Sequence, residues 1–166
     1  MANKTPPTEK KTKKTLLNEN LKDFQPEQAL RNRKALATSE KGKTYRVEMK
    51  PAKNCAVYKV DGDIVTKGDK CDKLVLVETN SDDNHWTEVF VELKGKDVGH
   101  AVVQLRESIK NSIFKHSSIK VKWARIVAQS IPKSNGNSVI ERAKIEFKKN
   151  YNVELKAWSS GNTDVI

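Results

Sequence analysis

Cysteine and histidine are scarce: Cys55 and Cys71 are the only cysteines, and three histidines complete the set of soft metal ligands. None of these residues falls into zinc-site spacing, so neither a disulfide framework nor a structural metal is expected, and a reduced, intracellular protein is. Long hydrophobic runs are also missing. The apolar stretches are a few residues long against the roughly 20 needed to cross a bilayer, and no apolar stretch follows the Lys-rich N-terminus. The expectation is therefore a cytoplasmic chain with no membrane partner. A Gly-rich phosphate loop is absent, as is a Ser or Cys nucleophile in a recognisable elbow, which argues against a P-loop enzyme and a triad hydrolase. What the chain does have is positive charge. Lys and Arg number 32 against 21 Asp and Glu, giving a net +11 and pointing to a polyanionic partner.

The length of 166 residues suits one domain. Residues 1–14 carry Lys4, Lys10, Lys11, Lys13 and Lys14 against Glu9 alone, with Pro6 and Pro7 among them, and predict a disordered basic tail ahead of a single domain over 15–166. Residues 15–41 read as two helical pieces, Leu16 to Phe24 and a second one after Pro26, ended by Gly42. From Thr44 the period becomes two, with Tyr45, Val47 and Met49 facing inward. Val57 to Thr66 reads as a short hairpin turning at Asp61-Gly62. Leu74–Val77 and Val89–Leu93 are apolar on both faces and predict central strands. Val98, Val102, Leu105, Ile109 and Ile113 make an amphipathic helix, followed by a strand over 119–127. Ser134 to Asn137 reads as a loop, Ser138 and Glu141 as a capping box opening a helix, and Val153 to Trp158 as a last strand. The order predicts an α/β domain with a central mixed sheet flanked by helices.

Asp72, Glu92 and Lys94 stand out as charged residues in otherwise apolar strands. An antiparallel hairpin centred near Asp82 sets Leu74 opposite Phe90, Leu76 opposite Glu88 and Asp72 opposite Glu92, with Lys94 on the Glu92 face. Opposed residues have Cβ atoms about 5 Å apart, so the two carboxylates meet and repel unless one is protonated or a cation lies between them. An oxygen-only ligand set favours Mg²⁺ or Mn²⁺. Glu-x-Lys by itself means little in a Lys-rich chain. It recurs at Glu48-Met49-Lys50 and at Glu154-Leu155-Lys156, both read as solvated strand edges. The copy at 92–94 is set apart by Asp72 upstream, by apolar residues on both faces, and by Gly95 and an amphipathic helix directly after it. His85 and His100 read as surface residues, His116 follows the helix with no nucleophile to serve, and Trp123 and Trp158 read as packing residues.

Lys70-Cys71-Asp72, then Phe90-Val91-Glu92-Leu93-Lys94-Gly95 and the helix carrying Gln104, resembles the PD-(D/E)XK nuclease superfamily, with its restriction-endonuclease-like fold. Cys71 stands where the family name has Pro. The resemblance implies a Mg²⁺-dependent endonuclease hydrolysing DNA phosphodiesters, with Asp72, Glu92 and the Leu93 carbonyl as metal ligands. It further implies that Lys94 positions the attacking water and that Gln104 lies near the site. Many members add a Glu from the first helix, for which Glu19, Glu27 and Glu40 all qualify. Lys120, Lys122 and Arg125, in one strand, are expected to hold the DNA backbone. Enzymes that cut both strands often work as pairs, so the resemblance admits a homodimer. The alternative on the same fold is a nucleic-acid-binding module without catalysis.

Overall fold

A computed structural model describes residue 5, residues 11–131 and residues 138–166. The chain runs β1 (Gln28–Glu40), β2 (Lys43–Lys59), β3 (Lys73–Asn80), β4 (His85–Lys94), α1 (Val98–Lys110), β5 (Ile119–Ala128), α2 (Val139–Tyr151), β6 (Val153–Ser159) and β7 (Asp164–Val165). The strands form one open mixed sheet ordered β1-β2-β3-β4-β5-β6, with β7 beside β2. Neighbours are antiparallel from β1 to β4 and parallel from β4 to β6.

The crossovers β4-α1-β5 and β5-α2-β6 step the same way across the sheet, and right-handed crossovers that do so lay their helices on one face. Val102 and Leu105 of α1 and Ala143 and Phe147 of α2 accordingly share one core with Leu74, Leu76, Phe90 and Ile126. Both helices open on side-chain caps. Asp97 accepts the His100 N–H at 2.9 Å and Ser138 accepts the Glu141 N–H at 3.1 Å. The expectation of helices around the sheet is thus corrected to helices on one face. The sheet itself covers the other face. The last five residues of β2, Cys55–Lys59, pair with β3 and, at Cys55 and Val57, with β1 on their other edge, while the earlier residues pair with β1 and β7 and fold back over the sheet. Tyr45, Val47 and Met49 are thereby buried against Val75, Val77, Val89, Val91 and Val127, and Tyr45 stacks on Trp158 of β6 at 6.4 Å. A register shift between Arg33 and Ala35 marks where the β1–β2 ribbon bends.

The helical reading of residues 15–41 is overturned. Residues 16–23 form successive turns that seat Leu16 and Leu21 in the helix-side core, and 28–40 is strand β1. The helical spacing of Ala29, Leu30 and Ala35 buries nothing, because all three are exposed; Leu36 and Thr38 alternate inward instead. A ladder running nearly the length of β2 outweighs helix propensity here. Gly42 ends no helix. It sits with Lys41 in a two-residue turn, φ +78° and +46°, between the paired Glu40 and Lys43, the geometry of the tight hairpin turn. The hairpin read at Asp61-Gly62 is also corrected. The chain turns there, Gly62 N–H donating to Val65 at 3.0 Å, yet no second strand follows and β2 pairs with β3 instead. Of the basic tail, residues 1–4 and 6–10 lie outside the described residues, as does the Ser134–Asn137 loop. Lys13 and Lys14 are not free: they run against the β3–β4 turn, where Lys13 Nζ reaches Ser81 O and Asn84 Nδ2 donates to Lys14 O at 2.7 Å.

Glu88 lies in this core at 0% exposure, with no partner for either carboxyl oxygen among the described residues. Burial pushes its carboxyl up to about 8, against a smaller opposing pull from Lys122, its neighbour in β5. A folded-state value raised this far keeps the proton bound, so stability is fully present below the unfolded value near 4.5 and is lost as pH rises through about 8. Glu88→Gln is therefore expected to leave stability nearly unchanged at pH 4.5. At pH 8.5 it should raise stability by on the order of 2–4 kcal/mol. Thermal melts of both proteins at the two pH values check this, and an equal shift at both would refute it.

Candidate active site

The β3–β4 register is the one the hairpin arithmetic requires, with Leu74 opposite Phe90 and Leu76 opposite Glu88. The last ladder pair is Lys73 with Val91. Asp72 lies one residue beyond it, and its side chain takes over where the ladder stops. Its N–H donates to Val91 O at 3.1 Å and its Oδ2 accepts the Leu93 N–H at 2.8 Å. Cys71, one step further, gives its N–H to Ser108 Oγ of α1 at 2.8 Å instead of extending the ladder toward Leu93. The strands part at this point, and a cleft of about 300 Å³ opens between them, lined by Asp72, Glu92, Lys94 and Gln104 on one side and by Glu40 and Lys43 on the other.

Glu92 is 1% exposed, and its Oε2 has no hydrogen-bond partner among the described residues. Burial and then the neighbouring Asp72 charge push its carboxyl up to about 8, with Lys94 pulling against them. Burial raises Asp72 too, offset by the Leu93 N–H that bonds its charged form. Asp72 raises the proton affinity of Glu92, while the Glu92 side chain lowers that of Asp72, as adjacent carboxyls in a poorly solvated place do when one holds the proton and the other the charge. Lys94, two residues on and so on the same face, brings Nζ to 3.6 Å from Glu92 Oε1 and remains partly open to solvent. Gln104 enters the cleft from α1. Its Nε2 donates to Lys70 O at 3.1 Å, while its Oε1 is buried and unpartnered. Asp72, Glu92, Leu93, Lys94 and Gln104 are thus brought together.

The three glutamates proposed from the N-terminal segment separate. Glu19 accepts from or pairs with His116 at 3.1 Å, and Glu27 bonds Thr38 Oγ1 at 2.9 Å and contacts buried Lys73. Only Glu40 lines the cleft, held 3.6 Å from Lys73 Nζ, and it comes from a strand end rather than a helix. Among the described residues no three His, Cys, Asp or Glu side chains gather closely enough to enclose a metal on their own. Glu40 is one of the three candidates, but Lys41 and Lys43 beside it at the hairpin tip are not among the expected site residues, because a helical reading of 15–41 ended by Gly42 leaves no hairpin there. The one local signal is Gly42 just before the period-two alternation that starts at Thr44.

The strand cations divide as the period-two rule requires. Lys120 is exposed and Lys122 half-buried, but Arg125, an odd number of residues away, points to the opposite face. It is 0% exposed, bonded through Nε to Asp164 Oδ2 at 2.6 Å and through Nη2 to Glu154 Oε1 at 3.1 Å. Its guanidinium lies 4.3 Å from the Trp123 ring centroid and 5.7 Å from that of Trp158. Both tryptophans pack, as expected, but Arg125 is an internal tie and cannot hold DNA. Glu154 belongs to the same tie, so it is more than a solvated edge. The Glu48–Lys50 copy does stay at the surface, its ion pair closing at 3.1 Å. Compared with protein-family models, with curated proteins and with solved structures, the chain matches none.

Proposed function

We propose that this chain is a divalent-metal-dependent endonuclease that hydrolyses phosphodiester bonds in DNA. The observation that carries the reading is the Asp72–Glu92 pair, two carboxyls in poor solvation at the head of a cleft, with the Lys94 ammonium beside them. An orphaned buried oxygen, Glu92 Oε2, next to a second carboxylate is a donor set suited to a hard cation. The element order supports the PD-(D/E)XK resemblance, since a β-hairpin carrying Asp and Glu-x-Lys leads through a helix to a parallel strand. The first element departs from that pattern, being a strand hairpin where a helix was expected.

Asp72 and Glu92, with the Leu93 carbonyl, are the groups that would hold Mg²⁺ or Mn²⁺. The cation, when bound, supplies a Lewis acid that polarises a phosphoryl oxygen and acidifies a water. The chain's own residues do the rest. The Leu93 N–H fixes the Asp72 carboxylate, and the protein's net +11 draws the polyanion in. Lys94 Nζ donates a hydrogen bond to the attacking water and offsets charge growing on the phosphate. Gln104 Oε1 offers a further acceptor on the cleft wall.

The test is nicking of supercoiled plasmid in Mg²⁺, in Mn²⁺ and in EDTA by the wild type and by Lys94→Ala. Cutting in either metal and none in EDTA is expected. The variant should be slower by about 10²-fold or more, the usual effect of removing one aimed donor. Salt-sensitive, metal-indifferent binding with no cutting would overturn the reading in favour of a non-catalytic nucleic-acid-binding module.

A further inference from the structure

The positive charge of the chain is unevenly placed. Residues 28–59, essentially the β1–β2 hairpin, hold nine Lys and Arg against Glu40 and Glu48, whereas residues 60–166 hold 17 cations against 15 acids. Charges on a strand do shield an unpaired sheet edge. That accounts for Arg31 on the outermost strand, but not for Lys43, Arg46 and Lys50, which lie on β2 with β1 on one side and, at Val47–Glu48, β7 on the other. These charges need another explanation.

The register supplies a surface. Leu36 opposite Val47 and Thr38 opposite Tyr45 face the core, so Ala35, Ala37 and Ser39, opposite Glu48, Arg46 and Thr44, face outward. Two adjoining depressions of about 580 and 310 Å³ run along this outer face, lined by Ala35, Ala37 and Ala52 together with Lys34, Arg46 and Lys50, and by the one acid Glu48, which pairs with Lys50 at 3.1 Å and leaves the cations in excess. Small side chains flanked by cations let a phosphate backbone approach closely. The buried inner face makes the ribbon stiff, so the cations are held in place by the sheet beneath. The tip of the same hairpin, Lys41 and Lys43, lines the cleft that holds Asp72 and Glu92. From Lys43 to Lys50 the strand covers about 23 Å, the length of roughly seven base pairs.

We infer that the outer face of the β1–β2 hairpin is the arm by which the protein grips the phosphate backbone of duplex DNA and leads it to the cleft at the hairpin's tip. The arm rests on the nuclease reading for what happens at the cleft, so grip and cutting are measured separately. Binding of a fluorescein-labelled 25-base-pair duplex is followed by anisotropy in EDTA over a series of salt concentrations. Wild type is compared with Lys34→Ala/Arg46→Ala/Lys50→Ala and with a charge-matched variant, Lys115→Ala/Lys148→Ala/Lys149→Ala. All of the replaced side chains are exposed, and melts of each variant check that the fold is kept.

The hairpin variant is expected to bind at least about 10-fold more weakly, with the slope of log K against log salt shallower by about 2 to 3, while the matched variant stays within about twofold. Equal losses in the two variants, an unchanged hairpin variant, or a wild type that binds no duplex would each overturn the arm. Plasmid nicking in Mg²⁺ is run beside it. A wild type that grips through the hairpin without cutting keeps the arm and removes the nuclease. Cutting by a protein whose binding ignores the hairpin does the reverse.

Discussion

Glu92→Gln is expected to lower metal-dependent cleavage by about 10³-fold or more and, in metal-free buffer at pH 8, to raise the melting temperature. The two effects have one cause. In the wild type a carboxylate at 1% exposure faces a second carboxylate, and burial and repulsion both disfavour its charge. The amide keeps the shape and removes the charge. Relief of about 1 kcal/mol or more follows, a rise of roughly 2–4 °C for a domain of this size. On the nuclease reading the same exchange would take a ligand from the cation, whose contribution to phosphoryl transfer is several kcal/mol, hence the factor of about 10³. Mg²⁺ should stabilise the wild type, because a ligand that binds only the folded state raises its stability by mass action, and should leave the variant unmoved. Melting curves with and without Mg²⁺, beside plasmid nicking, separate these outcomes. A variant that cuts at the wild-type rate, or one that melts lower than wild type in EDTA, would remove Glu92 from the site.

The residues that define the cleft were readable because their signals are local. Period two and a short turn are enough to set Leu74 against Phe90, and Glu92 and Lys94 then share a face whatever the rest of the chain does. The helices read equally well, since the stripe from Val98 to Ile109 and the Ser138 cap depend only on their own neighbourhoods. What was lost depends on partners far away in sequence. Residues 28–40 are a strand because β2 lies alongside them, and no spacing within Ala29–Leu36 reveals that. The covering of the sheet's second face by its own β2 was hidden for the same reason, as was which of Glu19, Glu27 and Glu40 reaches the cleft wall. Arg125 differs, because period two alone places it on the face opposite Lys120 and Lys122 whatever its charge.

Arg125→Met should destabilise the protein by about 3–5 kcal/mol, the usual result of taking one partner from a buried ion pair. Asp164, 6% exposed, receives Arg125 Nε at 2.6 Å and the Tyr45 hydroxyl at 2.8 Å, and burial together with the Asp164 charge pushes the Tyr45 hydroxyl up, so it stays neutral and donates. Arg125 Nη1 adds a bond to the Glu154 carbonyl at 2.9 Å. One guanidinium therefore joins β5, β6 and β7, and through Tyr45 also the folded-back half of β2. Methionine replaces its bulk between Trp123 and Trp158 but leaves the Asp164 carboxylate buried without a cation, and that unpaired charge is the larger part of the loss. Arg125→Met/Asp164→Asn removes the orphaned charge as well and should recover most of the stability, because replacing both members of a buried pair is often close to neutral. Urea unfolding of the two single variants and the double closes the cycle. A coupling below about 0.5 kcal/mol, or a single variant within about 1 kcal/mol of wild type, would show that packing of the two tryptophans, and not the ion pair, holds β7 to the sheet.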